Sequence, residues 1–158
     1  MKRNDDILFI RTTAPGHEDC QKYSEPFPNH ESYLATNPTK EHFYKWDKFS
    51  LYNDYLATLL DLRRRERMQN ETFQKSTPQT ELLDIFYMTV LRPDGHISGP
   101  ECTNERCKTK IDCLHYNLPG PLDWWNHLLF SHLQSVKEEK KLERILSMPL
   151  DPLSNLNK

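Results

Sequence analysis

Apolar positions along the chain gather into three helical patterns set between polar, proline-bearing stretches. From Thr39 to Gln69, Phe49, Leu51, Tyr52, Tyr55, Leu56, Leu59, Leu60 and Leu62 share about half of a helix circumference, so this segment is predicted to be the central core helix. Thr39 suits its N-cap, and the run Arg63-Arg64-Arg65-Glu66-Arg67 suits its carbonyl end. A second helix is predicted from Ser76-Thr77-Pro78, where a hydroxyl cap precedes Pro at the first helical position, through Leu82, Leu83, Ile85, Phe86, Met88, Val90 and Leu91. Its apolar residues face nearly every direction, which predicts burial between neighbours. Arg92-Pro93-Asp94-Gly95 reads as a turn. The third helix starts at Pro121, and Leu122, Trp124, Trp125, Leu128, Leu129, Phe130, Leu133 and Val136 leave only a narrow polar strip. After the charged stretch Lys137 to Lys141, Leu142, Ile145 and Leu146 resume on roughly the opposite face, which marks them as candidates for partner binding.

Residues 11–40 carry four prolines among polar residues and show no period. They are expected to form an extended arm that lays single aromatics, Phe27 and Tyr33 among them, into pockets on the core or on a partner. The organisation predicted is an arm over 1–40, a helical domain over 41–147 and a short tail over 148–158.

Composition narrows the classes. The chain has 158 residues, 36% hydrophobic, which suits one modest core. Lys and Arg total 21 against 23 Asp and Glu, so nucleic acid is not held by bulk charge and any basic site must be local, as at Arg63, Arg64, Arg65 and Arg67 with Lys108 and Lys110. Only four glycines argue against Gly-rich phosphate loops. The charged start, Met1 to Asp6, does not read as an export signal, and the longest apolar-rich run, Leu82 to Leu91, falls short of a membrane span. A nuclear or cytoplasmic chain is expected, nucleus preferred and not secreted, and in such a reducing setting cysteines serve as thiols or metal ligands.

Three of the four cysteines, Cys102, Cys107 and Cys113, fall close to His96 and His115 among polar residues. Polar surroundings do not suit inert buried thiols, whereas loops of four and five residues between ligands can wrap one tetrahedral ion. Structural zinc on Cys102, Cys107, Cys113 and His115 is therefore expected, with His96 and then His132 as alternative fourth ligands. The Cys107-x5-Cys113 step and the Cys3His set are similar in part to CCCH zinc fingers, but the outer spacings differ and no aromatics are interleaved for base stacking, so RNA binding is not carried over. Catalysis finds little support: Cys113 and His115 are close neighbours, and neither an HExxH nor a deaminase pattern occurs. Cys20, with His17 and Glu18, forms a poorer cluster that reads as an exposed thiol.

These observations predict a mainly α fold of three principal helices with a zinc-stapled irregular loop and an extended proline-rich N-terminal arm. The function expected is that of a non-enzymatic interaction subunit of a larger nuclear transcription or chromatin assembly, bound to other protein subunits and not to a membrane. A nucleic-acid-binding zinc module and a small viral or regulatory adaptor that captures a host protein are the alternatives.

Overall fold

The computed structural model describes residues 6–36, 43–98 and 111–147. Along these segments run strand β1 (Ile7–Arg11), helix α1 (His30–Leu34), helix α2 (Phe49–Gln69), helix α3 (Glu71–Ser76), strand β2 (Gln79–Leu83), helix α4 (Phe86–Thr89) and helix α5 (Pro121–Leu146). Short 3-10 turns cover Cys20–Lys22, Trp46–Lys48 and Pro93–Gly95.

The two strands pair in parallel, with Ile7 opposite Gln79 and Arg11 opposite Leu83. A parallel pair needs a long crossover, and here it contains α1, α2 and α3. Beyond the last pair, the Thr12 N–H donates to the Leu83 carbonyl. The buried Thr12 hydroxyl then donates to Asp84 Oδ1 at 3.0 Å and accepts from the backbone N–H groups of Ile85 and Phe86. One side chain thus fixes where β2 ends and α4 begins, by satisfying donors left open at a helix start. Asn53 of α2 clamps the neighbouring peptide from both sides, accepting from the Thr13 N–H and donating to the Thr13 carbonyl, each at 2.9 Å. It is the buried residue of α2.

The apolar core is small and runs the length of α4, from Phe86 to Val90. Tyr33, Phe86 and Val90 form its centre, with Phe27, Phe49 and Leu91 packed against it. Trp125 of α5 joins this region through its indole N–H, which donates to the buried Thr89 hydroxyl at 2.9 Å, and Arg11 lies over the same indole. α5 begins at Pro121, and the Gly120 N–H donates to Asp123 at 2.7 Å.

Several expectations are corrected here. The mainly α, zinc-stapled domain gives way, among the described residues, to five helices with a small parallel sheet and a disulfide between Cys20 and Cys113. The second predicted helix resolves into β2 followed by the short α4, because residues 79–83 gain a ladder of backbone bonds to β1 that a helix would forgo. Periodicity cannot separate a short buried strand from a helix segment.

α2 does not serve as the central core helix. Leu51, Tyr52, Tyr55, Leu59 and Leu62 are exposed, and the face they form lies outside the small core. Trp124, Phe130 and Leu133 of α5 are exposed as well, as are Leu142, Ile145 and Leu146. Of the two arm residues offered for partner binding, Tyr33 is buried and Phe27 half-buried, both in the chain's own core. The predicted tail, 148–158, lies outside the described residues.

Candidate active site

The segment from Ile111 to Asn117 holds the densest set of polar contacts. Asp112 is seated first: its N–H donates to the Ser98 hydroxyl at 2.6 Å, and its carbonyl accepts from the Ser98 N–H at 3.2 Å. From there its carboxylate folds over the following turn. Oδ1 accepts from the backbone N–H groups of Leu114, at 3.1 Å, and His115, at 3.0 Å. Oδ2 lies 2.9 Å from His115 Nδ1. A short polar side chain three residues before a histidine can bond local backbone and ring together, as Asp does in turns.

Burial is the largest single influence on Asp112 and pushes its carboxyl up. The hydrogen bonds from the His115 backbone and ring and from Leu114 outweigh it together and hold the carboxyl below its ordinary range. Asp112 is therefore an anion that accepts the Nδ1 proton of His115. Neutral imidazole has one N–H, so this contact leaves a lone pair on Nε2. The His115 side chain is 67% exposed, and among the described residues its ring hydrogen bonds involve Nδ1 only.

His115 opens on a groove of about 600 Å³ whose floor is the 111–115 segment and whose walls include His17, Glu18, Asp19, Tyr44 and Trp46. Tyr44 stacks on Trp46 with ring centroids 5.6 Å apart. Gly16 makes that wall possible. A Cβ there would fall 2.3 Å from the Trp46 ring and 2.4 Å from the Cys113 carbonyl, so only glycine admits both. The groove is closed behind by the Cys20–Cys113 disulfide, which joins residues 93 apart in sequence. The His17 N–H adds a bond to the Cys113 carbonyl, and the Tyr116 hydroxyl one to the Pro15 carbonyl.

The disulfide overturns the zinc expectation. Cys113 is bonded to Cys20 and is no thiolate ligand, and no group of three or more His, Cys, Asp or Glu side chains among the described residues is placed to hold a metal. His115 is committed to Asp112, His96 is buried against His17, and His132 lies beside Phe9, far along α5. Cys102 and Cys107 lie outside the described residues. Cys20, read from sequence as an exposed thiol, is fully buried.

The basic run is bound up in local structure. The Arg63 guanidinium donates to the Thr80 hydroxyl and lies over the Phe73 ring, Arg65 pairs with Asp61 at 2.8 Å, and Arg67 donates to the carbonyls of Gln74 and Thr77. Arg64 shares a second groove with Glu139, Glu143 and Arg144 of α5, far from a uniform basic surface.

Asp112 is not among the residues that the sequence pattern singles out. Its signal was the Asp-x-x-His spacing, Asp112 to His115, which suits a carboxylate that both caps a turn and orients an imidazole.

Comparison with known proteins gives this geometry a setting. The family described as PC-Esterase, a GDSL/SGNH-like acyl-esterase family found in Pmr5 and Cas1p, matches residues 1–132. Protein trichome birefringence-like 20 of Arabidopsis thaliana is 29% identical over 149 residues, 86% of this chain and 27% of that protein. Xyloglucan O-acetyltransferase 2 of the same plant is 38% identical over 149 residues, 87% of this chain and 30% of that protein. Xyloglucan O-acetyltransferase 1 is 38% identical over 84 residues, 49% of this chain and 20% of that protein. The chain thus spans under a third of these relatives. No solved structure matches it. These matches, with the disulfide, overturn the expectation of a non-enzymatic nuclear subunit and both of its alternatives, the nucleic-acid module and the adaptor.

Proposed function

Because the chain belongs to the PC-Esterase family, the GDSL/SGNH-like acyl-esterases, we propose that His115 and Asp112 are the general base and its orienting carboxylate in acyl transfer to or from a carbohydrate hydroxyl. The observation that carries this reading is the 2.9 Å contact between His115 Nδ1 and Asp112 Oδ2, with the ring exposed on a groove. It supplies two of the three roles of a Ser-His-Asp arrangement.

The third role is a serine. In one-letter code the family's description contains Gly-Asp-Ser-Leu, and none of the four glycines of this sequence is followed by Asp-Ser. In this reading the serine belongs to a segment that carries Gly-Asp-Ser, placed so that its hydroxyl reaches His115 Nε2. Nε2 takes the hydroxyl proton as the serine oxygen adds to the ester carbonyl, and returns it to the departing alkoxide. The acyl group is now on serine. Nε2 next takes the proton of an acceptor hydroxyl, a sugar hydroxyl for transfer or water for hydrolysis, and gives it back to the serine as the acyl group leaves. Asp112 stays ionised throughout and stabilises the imidazolium at each step.

A Cys20–Cys113 disulfide suits an oxidising compartment, so the chain is placed on the secretory route and not in the nucleus. Two relatives named for xyloglucan O-acetylation point to a plant cell-wall polysaccharide as the substrate class and to acetyl as the acyl group.

The test is acetyl transfer from a small acetyl ester to a xyloglucan oligosaccharide, with this chain combined with a family segment that carries Gly-Asp-Ser. Transfer that needs both parts and falls on the order of 10³- to 10⁴-fold in H115A or D112N is expected. Transfer that persists in H115A at the original rate overturns the assignment.

A further inference from the structure

Directly behind His115 lies a row of buried imidazoles. The Val90 carbonyl is 2.8 Å from His17 Nε2, His17 Nδ1 is 2.8 Å from His96 Nε2, and His96 Nδ1 is 3.1 Å from the His115 carbonyl. His17 is 5% exposed and His96 0%. Both ends of the row are carbonyl oxygens, which only accept, so His17 Nε2 and His96 Nδ1 must each carry a proton. The inner nitrogen-to-nitrogen contact needs one more. Three contacts thus call for three protons, and two neutral imidazoles carry two. With only two, either a pair of lone pairs faces across 2.8 Å or one carbonyl loses its donor.

The surroundings suit one positive charge and oppose two. The His96 ring stacks on Tyr116 at 4.2 Å, and the His17 ring meets those of Phe27 at 6.0 Å and Tyr33 at 6.2 Å, so aromatic groups flank both imidazoles. The carboxylates of Asp94 and Asp112 act on the pair from the Pro93–Gly95 turn and from the site segment. Beside Asp94, the Arg92 guanidinium is held by that carboxylate at 2.9 Å. Each imidazole is lowered to about 4, by burial first and, for His96, by a charge on His17 second. Hydrogen bonding to the Val90 and His115 carbonyls pulls the other way.

We infer that His17 and His96 are positioning residues which share one excess proton, taken up by the pair in a single step, and that this proton completes the row that holds the His115 main chain from behind. The pair touches no substrate. It acts through the His115 carbonyl, which also accepts from the Ile97 N–H at 3.0 Å. The proton count is independent of the acyl-transfer reading; its consequence for catalysis rests on that reading.

Nitrogen-15 spectra of the ring nitrogens of the intact chain, followed from pH 8 to pH 4, test the inference without an activity assay. The expected result is one proton gained by the two rings together in a single step between pH 8 and pH 4, with three N–H groups on its acid side. Amide exchange at Ile97, corrected for its intrinsic pH dependence, should slow across the same step. H96F keeps the ring stack on Tyr116 and removes both nitrogens. There, His17 should carry Nε2–H alone over this range, and the Ile97 step should vanish. Two rings that stay neutral to pH 4, two separate titrations, or an unchanged Ile97 step in H96F would each overturn the inference. None of these results depends on whether His115 proves to be the base.

Discussion

Two regions of this chain treat their large apolar side chains in opposite ways. Around residues 12–23, 84–98 and 111–117, side chains are tied by a disulfide, by Thr12, Asn53 and Ser98, and by the paired imidazoles, and the apolar groups Ile85, Phe86 and Val90 are buried among them. On α2 and α5 the large apolar groups are plentiful, yet Tyr55, Leu59, Leu62, Trp124 and Phe130 stand exposed. Among the described residues, the first region is tied together internally; the second presents a surface. Contiguous exposed apolar side chains mark places where protein covers protein. The first region carries the candidate base, and the helices carry the exposed apolar face to which the proposed nucleophile-bearing segment is assigned for test.

If that contrast is right, perturbations should separate by region. The largest loss of stability is expected for C113S, which opens a 93-residue link and leaves Cys20 unpaired in a buried position. Thermal unfolding should report a loss of about 4 kcal/mol for closing so long a loop. G16A comes next, because the added methyl meets both an indole and a backbone carbonyl. A cost of about 3 kcal/mol is expected, measured by denaturant titration, with a change in Trp46 fluorescence as the groove wall shifts. N53A removes both bonds to the Thr13 peptide and should cost about 2 kcal/mol in the same titration.

The smallest effect belongs to the other region. L59S or Y55S on α2 should change the chain's own stability by no more than about 0.5 kcal/mol, since these side chains face outward. The same variants should weaken association with the nucleophile-bearing segment in sedimentation experiments. A large loss of stability in L59S would break the contrast.

Asp112 gives a pH test of the site region alone. Its folded carboxyl titrates below the ordinary value of 3.8. The stability it contributes is therefore present above that value and is lost as pH falls through the folded one. D112N should flatten this part of the stability profile and leave the rest unchanged.

How much of this was legible in the sequence follows the physics of each element. α5 shows itself by Pro121 and a long 3.6-residue period, and α2 by its leucine and tyrosine spacing, because local periodicity suffices for a helix. Which face is covered is not local, so the apolar arc of α2 was read as core when it lies at the surface. β2 depends on β1 some 70 residues away, and nothing within residues 79–83 records that partner. The cysteine cluster misled for a related reason. Cys113 pairs with Cys20 across 93 residues, and sequence proximity to Cys102 and Cys107 carries no information on that pairing. Asp112 and His115 sit three residues apart, within reach of local reading, but three nearby cysteines make His115 look like a metal ligand.

The account stands most directly on which nitrogen of His115 carries the proton. Two-bond proton–nitrogen correlation spectra of the chain at alkaline pH will show it. The orienting carboxylate predicts Nδ1–H with a bare Nε2, and a shift of that balance in D112N. A wild-type ring that is predominantly Nε2–H, or one indifferent to D112N, contradicts the assignment of His115 as an oriented base.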